Sequence, residues 1–187
     1  VEKIFSMDAA WAFTVAALLW VYLGIQKGQV TQDGLTGLNN RRRLDQYMWE
    51  LDERSGERET CCYLLMDVNK FKKVNDTYGH VTGDEVLRLV AEQLKRTFGN
   101  MQAFLARYGG DEFVVIVKGK TQDEMDVIIH QTQENVNAIA WGADTPWQLS
   151  ISIGCAMRGE QGKQKSHELL ALADERMYRQ KKGIQDR

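Results

Sequence analysis

A single proline, Pro146, occurs in 187 residues, and neither an internal repeat nor a low-complexity tract breaks the chain. With 43% hydrophobic residues, there is material for one core of about 150 residues plus a helix, which excludes two enzyme domains. Cysteine is scarce as well. Cys61 and Cys62 are adjacent and Cys155 stands alone; no spacing resembles a zinc site, and the three read as reduced thiols. Charge is nearly balanced, 24 Lys and Arg against 26 Asp and Glu, so the basic footprint of a nucleic-acid binder is missing. The cations near Arg41 and from Arg176 to Lys182 are local clusters.

One stretch lacks charge altogether. Ala9 to Ile25 is 17 residues rich in Trp, Ala, Leu and Val and apolar all round, near the lower limit of about 17 residues for a helix that crosses a bilayer. Trp11, Trp20 and Tyr22 fit interfacial anchoring, and Lys27 with Arg41 to Arg43 places the C-terminal side in the cytoplasm by the positive-inside tendency. No basic leader or small-residue cleavage site marks a secretory signal. A dimerising or core helix is the alternative. Residues 1–30 are therefore expected to form a transmembrane helix and linker in the inner membrane, and residues 31–187 a domain in the cytoplasm. The chain begins with Val, from which a longer parent with an upstream membrane or sensor region is expected.

What the domain does have is a concentration of acids at turns. In Arg107-Tyr108-Gly109-Gly110-Asp111-Glu112-Phe113, two glycines precede two carboxylates between apolar stretches. That pattern predicts a hairpin, with Gly-Gly supplying the positive φ of a tight two-residue turn. Solvated acids beside a turn are common, so the second acid site matters more. Cys61 to Met66 reads as a buried strand ending in Asp67. If this strand lies beside the hairpin, Asp67, Asp111 and Glu112 converge, and such hard oxygen ligands suit Mg²⁺ rather than zinc. Without a metal the carboxylates would repel one another and raise a pKa.

Between the two acid sites, Asp67 to Asp84 places cations (Lys70, Lys72, Lys73) and then amide and acid side chains, a combination suited to phosphate and to the polar edge of a base. A helix starting near Phe71 and Lys72 would add amide donors for an anion. Thr82-Gly83-Asp84-Glu85 reads as a capping box opening a helix with Val86, Leu87, Val90 and Leu94 on its apolar face. Asp84 then has a plain alternative role beside the helix dipole.

Taken together, Gly109-Gly110-Asp111-Glu112-Phe113, the upstream Asp33-Gly34-Leu35-Thr36-Gly37-Leu38-Asn39-Asn40-Arg41-Arg42, the Asp67 to Asp84 segment, Ser150-Ile151-Ser152-Ile153-Gly154-Cys155 and Ala173-Asp174-Glu175-Arg176-Met177-Tyr178 resemble the GGDEF-domain family of diguanylate cyclases over about residues 31 to 183. The resemblance implies an α+β fold: a ferredoxin-like, nucleotide-cyclase-like core with a central, mainly antiparallel sheet flanked by helices, preceded here by the N-terminal apolar helix. It implies Mg²⁺-dependent condensation of two GTP into cyclic di-GMP and two pyrophosphates by a homodimer, Mn²⁺ being an alternative metal. By the same resemblance, Asp67, the Val68 carbonyl, Asp111 and Glu112 hold metal. Asp111, Glu112 and Lys72 serve catalysis, with Asp111 the candidate acceptor for the 3′-hydroxyl proton. Phe71, Lys72, Asn75, His80, Asp84 and Lys181 face substrate. Asn75 and Asp84 read guanine, a buried carboxylate left unpaired by adenine penalising ATP. A packed or turn residue is the alternative for His80, and Gly79 and Gly83 read as backbone turns.

Two departures stand out. Where many family members carry Arg-x-x-Asp, a product-inhibition site, this chain has Asn100-Met101-Gln102-Ala103. Where the family has Tyr-x-Ala-Lys-x-x-Gly and a second cation, it has Tyr178-Arg179-Gln180-Lys181-Lys182-Gly183, with Lys181 in register and Lys182 or Arg187 as substitutes for the second cation. The altered tail keeps a weak or inactive GTP-binding or scaffolding domain as the alternative function; altered base choice is argued against by Asp84. The element order expected is helix 41–54, strand to Asp67, short helix, capped helix to Phe98, hairpin, helix 122–140, strand 147–157 and a last helix from His167. Arg41 to Arg43 are expected to solvate the first of these helices, with a domain-contact role as the alternative.

Overall fold

The computed structural model describes residues 11–21, 31–54, 60–141, 148–158 and 164–185. Val1–Thr31 and Gln32–Arg187 form two separate units. In the first, residues 11–21 form helix α1, with Trp11, Phe13, Leu18 and Trp20 exposed. The expected transmembrane helix is unsupported: among the described residues no helix is long and apolar enough to cross a membrane. Residues 9, 10 and 22–25 of the uncharged run lie outside the described residues.

The second unit runs β1 (Asn39–Asn40), α2 (Arg41–Glu53), β2 (Cys61–Val68), α3 (Phe71–Phe98), β3 (Ala103–Arg107), β4 (Glu112–Lys118), α4 (Gln122–Asn137), β5 (Ile151–Met157) and α5 (Ser166–Gln185). The five strands form one sheet in the order β1-β3-β4-β2-β5. β1 lies parallel to β3, and the other three pairs are antiparallel. The mainly antiparallel α+β core is thus observed, made mixed by β1, which two polar residues gave no means of foreseeing.

β2 lies inside the sheet, between β4 and β5, and all eight of its residues are buried. Its side chains alternate between two cores, as a pleated strand requires. Cys62, Leu64, Met66 and Val68 meet Val86, Leu87, Val90, Leu94 and Phe98 of α3 and Met125 and Val136 of α4. Cys61, Tyr63 and Leu65 meet Leu44 and Leu51 of α2 and Leu169, Leu170, Ala173 and Met177 of α5. Helices on both faces explain the continuous apolar run: a strand covered twice has no solvent face to mark with polar residues. Burial also pushes the Cys62 thiol up to about 12 and Cys155 up to about 11, so both stay protonated and act as small apolar core residues.

The helix boundaries follow local chemistry, not always as expected. The Asn40 side chain caps α2 by accepting from Arg43 N–H at 3.0 Å. At α4, Thr121 and Glu124 form a true capping box. The box expected at Thr82–Glu85 does not form. α3 instead breaks at Gly79 (φ 82°, ψ 163°), a left-handed conformation that glycine adopts without penalty, and the Thr82 hydroxyl donates to Tyr78 O at 2.9 Å. The second segment of α3 therefore begins before Thr82.

Candidate functional site

Register places the acids. β2 and β4 pair with Asp67 opposite Glu112, and the Val68 N–H donates to the Asp111 carbonyl at 3.2 Å. Asp67 is buried, 6% exposed, at the last turn of a strand whose other side chains are apolar. Asp111 and Glu112 lie half-buried beside it. Burial first, and then the neighbouring Asp67 carboxylate, pushes Asp111 above the usual carboxylate range. Glu112 is raised in the same way, by burial and then by Asp67, Asp111 and Asp174. The three acids singled out in the sequence therefore converge, and mutual repulsion follows as expected.

Cations partly offset this charge, Lys181 and Arg107 both acting on Asp111. Lys181 Nζ donates to Asp67 Oδ1 at 2.6 Å, carried there by α5 on the face of the sheet that Asp67 shares with Glu112. The donor set is all hard oxygen, desolvated and over-supplied with negative charge, and an ammonium already stands against Asp67; these residues fit a divalent cation such as Mg²⁺. Among the described residues no three His, Cys, Asp or Glu side chains are close enough to hold a metal by themselves. Completion by backbone and substrate phosphate oxygens is the usual arrangement for Mg²⁺.

The hairpin loop is built differently from the expected two-residue turn. Neither Gly109 nor Gly110 has positive φ; among the described residues that conformation belongs to Gly37, Gly79, Gly119 and Lys70. Residues 108–111 form a wider loop closed by Tyr108 N–H donating to Glu112 O at 2.8 Å. Gly109 serves a different purpose: a Cβ there would sit 2.7 Å from Glu112 Oε2, so the glycine leaves the carboxylate its place. Gly110 would meet nothing within 4 Å, leaving the outer side of the loop open to a ligand.

Arg107 holds this loop, a role the sequence reading missed. Its Nε and Nη2 donate to the Gly110 carbonyl at 3.2 and 2.7 Å, and its Nη1 reaches both Asp33 carboxylate oxygens at 3.2 Å. Asp33 in turn accepts from Thr36 N–H and Oγ1 at 2.9 and 2.7 Å. Burial raises the Asp33 pKa, but these hydrogen bonds and the guanidinium outweigh it and hold the carboxyl below its ordinary range. The upstream Asp33–Thr36 turn and the acid hairpin are thus one braced unit. Arg41 stacks over the Tyr108 ring at 4.6 Å, a contact outside α2, while Arg43 pairs with Glu50 of its own helix at 3.0 Å.

The other expected substrate residues lie on α3. Phe71 and Asn75 are half-buried, and Lys72, His80 and Asp84 are exposed. Val68, whose carbonyl was named as a metal ligand, is fully buried. The break at Gly79 folds the start of α3 against its continuation: a Cβ on Gly83 would overlap Asn75 Oδ1 at 1.9 Å and approach Phe71 Cζ at 3.3 Å. Asn75 therefore packs on the residue next to Asp84. His80 follows the break directly and is exposed, so it does not pack in the core. Asp84 is exposed here, so the penalty expected against adenine would arise only when a base covers it. Asn69, also unanticipated, ties this end of the sheet together: its Nδ2 donates to Ser150 Oγ at 3.0 Å and its Oδ1 accepts from Ser152 Oγ at 2.8 Å.

Comparison with known proteins agrees with this geometry. The model of the GGDEF domain, diguanylate cyclase, matches residues 30–187. Probable diguanylate cyclase DgcI of Escherichia coli is 38% identical over 156 residues, covering 81% of this chain and 31% of its own length. Diguanylate cyclase DosC of Escherichia coli is 34% identical over 161 residues, covering 82% and 34% respectively. The chain thus spans about a third of the length of these two relatives. Among solved structures, the coiled coil and GGDEF domain of DgcB from Caulobacter crescentus, in complex with c-di-GMP, matches with a TM-score of 0.76 at 28% identity over 95% of each chain. The chain belongs to the GGDEF domain family of diguanylate cyclases.

Proposed function

We propose that this chain condenses two GTP molecules into cyclic di-GMP and two pyrophosphates. The observation that carries the reading is the convergence of Asp67, Asp111 and Glu112 on adjacent strands, with Lys181 against Asp67. Mg²⁺, or Mn²⁺ in its place, held by Asp67, the Val68 carbonyl and Asp111 with Glu112 alongside, would supply charge neutralisation at the phosphates and acidify the attacking hydroxyl. Asp111 takes the proton of the 3′-hydroxyl as it attacks the α-phosphate of the other nucleotide. Lys72 and Lys181 meet the phosphates. Phe71 and His80 flank the nucleotide, while Asp84 and Asn75 accept from and donate to the guanine edge. Each domain holds one GTP, so two must face each other in a homodimer.

The test is incubation of the chain with Mg²⁺ and either GTP or ATP, with the product identified by mass. Cyclic di-GMP from GTP alone is expected. Unchanged GTP, with binding confirmed, would favour a scaffolding domain instead.

Two further expectations belong here. Gly83→Ala pushes the Asn75 side chain away from Asp84 without moving backbone, so the KM for GTP should rise about tenfold while the melting temperature barely changes. Steady-state kinetics with thermal melts check it. Asn100 and Ala103 supply neither the guanidinium nor the carboxylate of a product site, so added cyclic di-GMP should leave the initial rate unchanged through that route. Full inhibition lost on mutating Asn100 would contradict this.

Attachment to the inner membrane through Ala9–Ile25, with the catalytic domain in the cytoplasm, is also proposed, on the uncharged composition of that run and the cations after it. Fractionation of cells expressing the natural protein, with and without residues 1–30, tests it: both forms in the soluble fraction would refute it.

A further inference from the structure

β5 is an edge strand, and one row of its backbone groups faces away from β2. Side chains from two helices close that row. Gln133 Nε2 of α4 donates to Ile151 O at 3.2 Å. The Ile153 N–H donates to Gln180 Oε1 of α5 at 2.6 Å. Arg176, one turn earlier on α5, donates to the Cys155 carbonyl. Between the two α5 contacts lies Gly154, where a Cβ would stand 1.9 Å from the Ala173 carbonyl oxygen and 2.4 Å from Met177 N. The backbone of α5 is thus seated directly on the strand, and Gln180 fixes its depth and rotation at the end nearest the acids. The next residue is Lys181, whose ammonium reaches Asp67 on the neighbouring strand β2.

We propose that Gln180 is a positioning residue: by accepting from Ile153 N–H it fixes the C-terminal turns of α5 so that Lys181 is directed at Asp67 and the phosphates gathered there. The bond belongs to this chain's own side chain, since an alanine at this position has no acceptor to offer. Without it Lys181 keeps its charge but samples many directions, and the loss falls on substrate capture. This inference rests on the reading of Lys181 given above.

The test uses the 187-residue chain. GTP kinetics are measured for Gln180→Ala, Lys181→Ala and the double variant, and Ile153 amide exchange is followed by NMR in the unsubstituted chain. Gln180→Ala should raise the KM for GTP about fivefold, the worth of one hydrogen bond, and change kcat less than about twofold. A purely structural role would reduce the active fraction, and with it kcat, at unchanged KM. In the Lys181→Ala background the Gln180 substitution should add nothing, because its effect passes through Lys181. The same fivefold rise in that background overturns the assignment and leaves the role of Lys181 standing. A Lys181→Ala chain with unchanged KM and kcat removes that role and the positioning of it together. Should Gln180→Ala fail to fold, the Ile153 amide decides: slow exchange supports the bond, and exchange as fast as an exposed edge amide overturns the proposal.

Discussion

Replacing Asp111 with Asn is expected to reduce cyclic di-GMP formation by about a thousandfold or more, the scale of removing both a proton acceptor and a charge-stabilising ligand. The fold should survive, and the free domain should become more stable rather than less. Asp111 is raised by burial and by the Asp67 carboxylate. An acid whose folded pKa lies above its unfolded value favours the fold below the unfolded pKa and opposes it as pH rises through the folded one. At pH 7 the charged Asp111 therefore costs stability, and a neutral amide of the same shape relieves it. A melting temperature at or above that of the unsubstituted chain, together with lost turnover, is the expected pair of results. Lost turnover with a lower melting temperature would mean that the substitution damaged the hairpin, and retained turnover would remove Asp111 from the chemistry.

Gly154→Ala should be the most disruptive small substitution in the domain. The added methyl would stand 1.9 Å from Ala173 O and 2.4 Å from Met177 N. Both are backbone atoms of α5, so no side-chain rotation can relieve the overlap and the helix must lift from the sheet. Overpacking of this kind costs about 3 kcal/mol, or a fall of about 6–12 °C in melting temperature for a domain of this size. Lifting α5 also breaks the Gln180 and Arg176 contacts to β5 and withdraws Lys181 from Asp67, so turnover should fall beyond what the loss of folded protein explains. Thermal melts and activity below the transition check both parts. An unchanged melting temperature would contradict the seating of α5 on β5.

The acid site was legible because its signals are covalent neighbours. Asp67 ends an apolar run, and Asp111 and Glu112 follow a glycine pair, so strand pairing alone brings them together. What could not be read was how side chains brace those elements. Arg107 spans to Asp33, 74 positions away, and Gln180 reaches Ile153, 27 positions away; no periodicity marks a partner at such distances. Local patterns also mislead when a stronger neighbour acts first. Thr82-x-x-Glu85 and Thr121-x-x-Glu124 are the same capping pattern, and only the second caps, because Gly79 three residues before Thr82 has already turned the chain. Gly-Gly likewise suggested positive φ, where instead Gly109 makes room for the Glu112 carboxylate and Gly110 lies on the open side of the loop. For α1, the uncharged run predicted an apolar helix, and residues 11–21 of it are helical; the rest of the run lies outside the described residues.

The central claim is that two copies of this domain, each holding one GTP over Asp67 and Asp111, join their substrates. The most direct measurement is the initial rate of cyclic di-GMP formation, with product confirmed by mass, across a wide range of protein concentration at saturating GTP and Mg²⁺. The account predicts a rate that rises faster than linearly with protein and becomes linear once dimers dominate. No cyclic di-GMP at any concentration, or a strictly linear rate from a chain shown to be monomeric, would contradict it.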